Sequence, residues 1–175
     1  MKPSPPEIVI RRLDEVDQLN VVEPLWNALQ EHHSKLTPNL GGSAPSRELG
    51  DSWRRRRAKY ERWLQDPGTF FVVAESGERQ VGYAFVTVGS GYAAWQTGDL
   101  IAELETLSVL PEHRGDGVGA ALLEAVWRRL AEIGVEDLAI TAEKNNVDAH
   151  RFYERQGFTQ GFVVYYGKAP EVGAS

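Results

Sequence analysis

A glycine-rich turn, Arg114 to Gly119, is the sequence feature that most restricts how this chain can fold. An apolar segment from Leu100 to Leu110 predicts a strand before the turn. After the turn, apolar residues share one side of a predicted helix that stops at Gly134: Val118, Leu122, Ala125, Val126, Leu130 and Ile133. Glycine lets the backbone turn sharply, and a helix N-terminus presents unpaired amide hydrogens and a positive dipole end. The segment therefore predicts an anion-binding turn, to which Arg114 adds positive charge.

Further patterns place this turn late in a mixed α/β order. Apolar and aromatic runs predict strands at 7–13, 70–75, 80–88, 137–141 and 158–166. Helical patterns predict three further helical regions. The first covers 14–33, where Pro24 starts a second segment or kinks the first. The second runs from an N-cap at Ser46 to Asp66, and the third covers 146–155. The order predicts antiparallel strands first and a β-α-β unit later.

Length and composition favour one folded domain. The chain has 175 residues, of which 42% are hydrophobic and 25% are charged, as in ordinary globular proteins. We expect a flexible N-terminus at residues 1–6, the domain at 7–167 and a flexible tail at 168–175.

The same composition argues against several classes of partner. A net charge of -6 disfavours broad nucleic-acid binding, which needs a basic face. There is no apolar run near the roughly 20 residues of a membrane helix, and the polar start lacks a signal-peptide core. The four histidines lack metal-ligand spacing, and cysteine is absent. We expect a cytoplasmic protein without a nucleic-acid, membrane or metal partner.

The run from Arg54 to Arg57 is an exception to the acidic balance. Such a run can bind phosphate, but on a helix it more often forms a solvated face. We interpret it as a solvated face.

The glycine turn also satisfies the dinucleotide pattern G-x-G-x-x-[GA], through Gly115, Gly117 and Ala120. A dinucleotide turn begins directly at the end of a strand at the start of the sheet, whereas here residues 111–114 intervene, late in the chain. No Gly-Lys-Ser or Gly-Lys-Thr follows, which excludes a P-loop. A nicotinamide-dependent oxidoreductase is therefore a minor alternative.

Two motifs resemble those of the Gcn5-related N-acetyltransferase (GNAT) family. Arg114-x-x-Gly117-x-Gly119 is similar to the family signature [QR]-x-x-G-x-[GA]. About 30 residues downstream, Asn146 to Phe158 is similar to N-x-x-A-x-x-F-Y-x-x-x-G-F. The resemblance is close over 100–166 and holds over 7–88 only by element order. It implies a GNAT-like fold, with a splayed central parallel pair and helices on both faces of the sheet.

The resemblance implies acetyl-CoA, or another acyl-CoA, as co-substrate. In the family, the central strand offers backbone groups to pantetheine, the turn holds the diphosphate, and the residue matching Asn146 contacts the cofactor arm. The implied cofactor-binding residues are Leu107, Ser108, Val109, Arg114, Gly115, Asp116, Gly117, Val118, Gly119, Ala120, Asn146, Ala149 and Tyr153.

The resemblance also implies catalytic roles. Amine attack on a thioester expels a thiolate, and the family's general acid is a phenol at the position of Tyr153. The general base is not assigned, and the candidates are Glu103, Glu105 and water. Unbroken alternation would place both glutamates on one face with Leu107 and Val109, so we expect a β-bulge between Glu105 and Val109.

The acceptor is expected to be a primary amine, and the sequence leaves antibiotics, polyamines, amino acids, protein N-termini and lysine side chains open. Candidate contacts are Trp26, Tyr92 and Trp95, although Trp26 at helical spacing also fits a core position. Because many similar enzymes dimerise, we expect a homodimer. A non-catalytic acyl-CoA sensor on the same fold is the main alternative function.

Overall fold

The computed structural model of the protein describes residues 7–170. Our expectations for residues 1–6 and 171–175 lie outside this range. Residues 168–170 are exposed and belong to neither a helix nor a strand.

The elements follow the predicted order. The strands are β1 Ile8–Leu13, β2 Asn39–Leu40, β3 Ala44–Pro45, β4 Phe70–Ser76, β5 Arg79–Ser90, β6 Leu100–Val109 and β7 Asp137–Ile140. The α-helices are α1 Glu23–Leu36, α2 Leu49–Trp63, α3 Val118–Glu132 and α4 Val147–Arg155, with 3-10 helices at Val16–Val22 and Pro111–His113. Pro24 lies in the first turn of α1, where its missing N–H is tolerated.

The main sheet has the strand order β1-β4-β5-β6-β7. Neighbours from β1 to β6 are antiparallel, and β6 and β7 are parallel. The two-residue strands β2 and β3 form a separate antiparallel pair. The predicted mixed α/β fold is therefore confirmed.

Helices cover both faces of this sheet. On one face, α3 packs Leu122, Val126 and Leu130 against aliphatic residues of β4, β5 and β6. On the other face, α2 packs Trp53 and Tyr60 against the sheet, together with α1 and the first 3-10 helix. No helix within residues 7–170 has both the length and the apolar character needed to cross a membrane.

The expected β-bulge is present on β6. Phe85 pairs with Thr106 and Val86 pairs with Leu104, so Glu105 has no partner on β5. Before the bulge, Ala102 and Leu104 face α3; after it, Leu107 and Val109 do so. Thr106 and Ser108 instead bond to Tyr60 of α2 and to the backbone of α1. The extra residue separates the glutamates from the apolar side chains.

Two local predictions were wrong. The helix predicted from an N-cap at Ser46 has its N-cap at Glu48, because the amide of Ser46 bonds to the Pro38 carbonyl and closes the preceding loop. Residues 158–166 do not form the predicted strand. In this segment Phe162 packs against Tyr92 and Trp95, and the Tyr166 ring lies against Gly41. An apolar run becomes a strand only where another strand pairs with it.

Candidate active site

A cavity of about 570 Å³ lies where the second half of β6 meets the N-terminus of α3 and the helix α4. It brings together most of the predicted cofactor-binding residues with side chains of α1. Its lining comprises Leu29, His32, Leu107, Ser108, Val109, His113, Arg114, Gly115, Gly117, Gly119, Ala120, Asn146, Asp148, Ala149, Arg151, Phe152, Tyr153, Arg155 and Gln156.

The edge of β6 is open beside this cavity. The parallel partner β7 pairs with β6 only from Ile101 to Leu104, so β6 continues to Val109 without β7. Backbone groups from Leu107 to Val109 therefore have no β7 partner on this side, as expected for a splayed pair. The Val109 carbonyl is already engaged, because Nε of Arg114 donates to it at 3.1 Å.

The N-terminus of α3 has backbone amides without a side-chain cap beside open space. Gly115 and Gly117 have φ values of 86° and 84°, which L side chains rarely adopt. Gly117 is the N-cap and has no side chain to bond the first-turn amides. A Cβ added at either glycine would meet nothing within 4 Å, so the space around them is open. Backbone donors are therefore available to an anionic group.

Two predicted residues of this turn do not line the cavity. Val118 is only 1% exposed, and its side chain packs in the α3 face of the core. Asp116 is exposed at the turn. In this structure Val118 offers the cavity at most its backbone.

Helix α4 presents Tyr153 to the same cavity. Asn146 caps the helix, with its Oδ1 accepting from the Ala149 amide at 3.2 Å, which leaves Nδ2 available. The Tyr153 ring packs edge-on against Phe152 and Phe158. Burial raises the pKa of Tyr153 to about 12, so its hydroxyl stays protonated at neutral pH.

The two candidate base residues lie on β6 before the cavity and are not part of its lining. Oε1 of Glu105 accepts from the Thr87 hydroxyl at 2.9 Å. Burial, and then the negative charge of Glu105, raise the pKa of Glu103. The two carboxylates therefore interact with each other where β6 and β7 separate.

The three predicted acceptor contacts lie apart from the cavity lining. Trp26 is half-buried between helices, and its indole nitrogen donates to the Ser52 hydroxyl at 3.1 Å. This placement favours packing. Tyr92 and Trp95 are exposed in the loop between β5 and β6, where both rings contact Phe162 edge-on or at a tilt.

Several cavity residues were not predicted. Arg151 and Arg155 line it from α4, and their four-residue spacing after the Asn146 cap was a usable signal that they share a face. Leu29 and His32 reach it from α1, and Phe162 joins the aromatic loop; local sequence gave no indication of these long-range contacts. Within residues 7–170, no group of three or more His, Cys, Asp or Glu is arranged to hold a metal ion.

Comparison with known proteins agrees with this geometry. The family model described as "Acetyltransferase (GNAT) family" matches residues 26–158, which is most of the chain. The chain belongs to the GNAT acetyltransferase family. The turn, the splayed strands and α4 of this GNAT protein all lie within the matched range.

Relatives of this GNAT protein include two kinds of named acetyltransferase. A mycothiol acetyltransferase from Pseudarthrobacter chlorophenolicus is 30% identical over 145 residues, covering 81% of this chain and 44% of that protein. An aminoglycoside N(6')-acetyltransferase type 1 from Stenotrophomonas maltophilia is 30% identical over 103 residues, covering 59% of this chain and 67% of that protein. The chain thus spans less than half the length of the mycothiol acetyltransferase.

A solved GNAT structure has the same fold. The aminoglycoside N-acetyltransferase AAC(6')-Iy in complex with CoA superimposes with a TM-score of 0.66, covering 96% of this chain and 99% of that chain. Its sequence identity is 21%, so the likeness concerns the fold.

Proposed function

We propose that this GNAT protein transfers an acetyl or other short acyl group from acyl-CoA to a primary amine by direct attack in a ternary complex. One observation carries the proposal: the same cavity is bounded by the open edge of β6, the N-terminus of α3 and Tyr153. An anionic diphosphate joined to an amide-containing arm fits that combination of backbone donors and an unpaired strand edge.

The residues around the cavity suit each part of CoA. The diphosphate would accept from the amides of the α3 first turn, with Arg114, Arg151 and Arg155 supplying positive charge. The pantetheine arm would run beside Leu107 to Val109 as an added strand. Oδ1 of Asn146 accepts from the Ala149 amide, and Nδ2 is available to donate to the arm.

The thioester, when bound, supplies the acyl carbon that the amine attacks. The protein must first remove a proton from the ammonium form of the acceptor, because that form has no lone pair. As the C–N bond forms and the C–S bond breaks, Tyr153 donates its proton to the leaving sulfur, and the extra proton that the attacking nitrogen loses as the amide forms returns to the phenolate, directly or through water. The phenol is protonated throughout the physiological range, so its proton is present when the sulfur leaves, although the raised pKa makes Tyr153 a weaker acid than an ordinary tyrosine.

For the base we propose the carboxylate pair Glu103 and Glu105, acting directly or through water. The raised pKa of Glu103 brings it closer to neutral pH, where a carboxylate is a more effective base. Both glutamates precede the cavity residues on β6, so an acceptor that approached the thioester from that end of the strand would meet them.

The acceptor that we favour is a small-molecule amine. The named relatives are mycothiol and aminoglycoside acetyltransferases, and a peptide amine is the alternative. Tyr92, Trp95 and Phe162 form an exposed group of three rings with centroids 5.4 to 5.9 Å apart. Such rings offer exposed apolar surface to a ring-containing acceptor.

We also infer a homodimer. Phe162, Val163, Val164 and Tyr165 are between 64% and 90% exposed, an unusual run of exposed apolar side chains. Among the described residues, 159–170 make no backbone–backbone hydrogen bond, and β7 is an end strand of the sheet. A second copy could satisfy both through strand pairing. A Val164→Lys variant should then be smaller than the parent by light scattering. A parent of monomeric mass would contradict the dimer, and equal dimeric masses would contradict this interface.

Calorimetric titration with acetyl-CoA, with NAD in parallel, tests the central proposal. We expect acetyl-CoA to bind, NAD to give no response, and amines to trigger release of free thiol. Binding without thiol release across an amine library would indicate the sensor, and binding of NAD alone would indicate the oxidoreductase.

Two glycine variants locate the diphosphate. Gly117→Asp should weaken acetyl-CoA binding, because it adds negative charge beside the α3 amides. Gly77→Asp is a matched control, since Gly77 also has positive φ and open space but lies in the β4–β5 turn. Equal affinities for the two variants would place the diphosphate elsewhere.

A further inference from the structure

The arginine run on α2 divides into outward and inward side chains. Arg54 and Arg55 pair with Asp51, and Arg57 pairs with Glu61, all on the surface of the helix. Arg56 instead points at the sheet. The prediction of a solvated face is therefore wrong for Arg56.

The Arg56 guanidinium lies among three aromatic rings. Its central carbon is 4.6 Å from the ring centre of Trp26, 5.1 Å from that of Tyr60 and 5.7 Å from that of Trp63. These distances are within the range of cation–π attraction, so the rings hold the charge in place. Nη2 then donates to the Glu105 carbonyl and to the Thr106 hydroxyl, both at 3.0 Å.

The Glu105 carbonyl lies where the sheet offers no regular partner. On one side, β5 pairs with Leu104 and Thr106 and skips Glu105. On the other side, pairing with β7 ends at Leu104. Arg56 supplies a donor at this position. The Thr106 hydroxyl also forms a hydrogen bond with the Tyr60 hydroxyl at 2.6 Å, and the Tyr60 hydroxyl forms one with the Tyr83 hydroxyl at 3.1 Å.

We propose that Arg56 is a positioning residue that holds the β6 bulge and thereby sets the direction of the Glu105 carboxylate. The bulge places Glu105 and Thr106 in succession on the α1/α2 side and returns Leu107 and Val109 to the α3 side. The role of Glu105 in catalysis rests on the proposed function; the contact of Arg56 with the bulge does not.

Amide hydrogen exchange tests the contact without any need for activity. The variants are Arg56→Met, which keeps an unbranched apolar stem but removes the guanidinium donors, and Arg55→Met as a control on the same helix. We expect faster exchange across residues 100–109 in Arg56→Met and exchange as in the parent for Arg55→Met. Unchanged protection in Arg56→Met would overturn the proposal.

A double-mutant cycle tests whether Arg56 acts through Glu105. With saturating acetyl-CoA and acceptor, Arg56→Met should lower kcat about 10- to 100-fold, as expected when a reacting group is displaced by about 1 Å. Arg56→Lys, which keeps a charged donor, should recover part of the rate. In a Glu105→Gln background, Arg56→Met should cause little further loss.

Losses that multiply in the double variant, or a kcat that falls with Arg56→Met but not with Glu105→Gln, would show that Arg56 does not act through Glu105. A parent that binds no acetyl-CoA would refute the proposed function instead. The exchange measurement would still decide whether Arg56 holds the bulge.

Discussion

The two faces of the sheet are built from different chemistry. The α3 face is closed by aliphatic side chains such as Leu122, Val126 and Leu130. The α1/α2 face contains the three buried polar residues found in the described chain, Ser52, Thr106 and Ser108, each with a hydrogen-bond partner. One face is stabilised by packing, and the other combines packing with hydrogen bonds that fix direction.

This difference matches the two proton transfers that acyl transfer needs. Tyr153 packs against the α3 face, where burial keeps a phenol protonated. Glu103 and Glu105 alternate with Leu104 and so point to the opposite side, where polar partners are present. In the proposed mechanism, acid and base approach the thioester from opposite faces where β6 and β7 separate.

The largest expected effect is the loss of kcat when the proposed general acid, Tyr153, is changed. Tyr153→Phe should lower kcat about 10²- to 10⁴-fold while the free energy of unfolding stays near that of the parent. Because the pKa of Tyr153 is raised, the parent should keep its rate near pH 10, where an ordinary tyrosine ionises. Tyr165→Phe, at a position 90% exposed, is the control. Equal kcat values for Tyr153→Phe and the parent would remove Tyr153 as the acid.

On the aliphatic face, Leu122→Ala should lower the free energy of unfolding by about 2–5 kcal/mol, because it removes a fully buried side chain and leaves a cavity. Denaturant titration measures this loss, with Leu40→Ala as the exposed control. The rate per folded molecule should change little. A loss as small as that of the control would contradict a tightly packed face.

On the polar face, Tyr60→Phe should lower the free energy of unfolding by less, about 1–3 kcal/mol, because the buried Tyr83 hydroxyl loses the Tyr60 hydroxyl as its hydrogen-bond partner. The double change Tyr60→Phe with Tyr83→Phe should cost less than the sum of the single changes, since both partners are then gone. Additive losses would show that this hydrogen bond contributes nothing to stability.

The smallest expected effect concerns the two glutamates. Glu105→Gln should lower the pKa of Glu103, because removing a nearby negative charge makes ionisation easier. Carboxyl NMR titration measures this shift, and Glu78→Gln in the β4–β5 turn is the control. An unchanged pKa would mean that burial alone raises it.

Much of this arrangement could be predicted from local patterns. The glycine turn predicted the N-terminus of α3, and the mixture of charged and apolar residues on β6 predicted the bulge. The inward position of Arg56 also had a usable signal, since this residue shares a helical face with Trp53, Tyr60 and Trp63. The absence of a strand at residues 158–166 had no such signal in the sequence. Whether an apolar run pairs as a strand depends on distant partners.

The bare N-cap at Gly117 has a consequence for the lifetime of the protein. Since no side chain accepts hydrogen bonds from the first amides of α3, a bound diphosphate would supply the acceptors that these amides lack. Ligand binding of this kind adds to folding stability, by about 2.7 kcal/mol at a concentration of 100 Kd. A cell depleted of CoA would then hold the same protein in a form that unfolds and is degraded more readily.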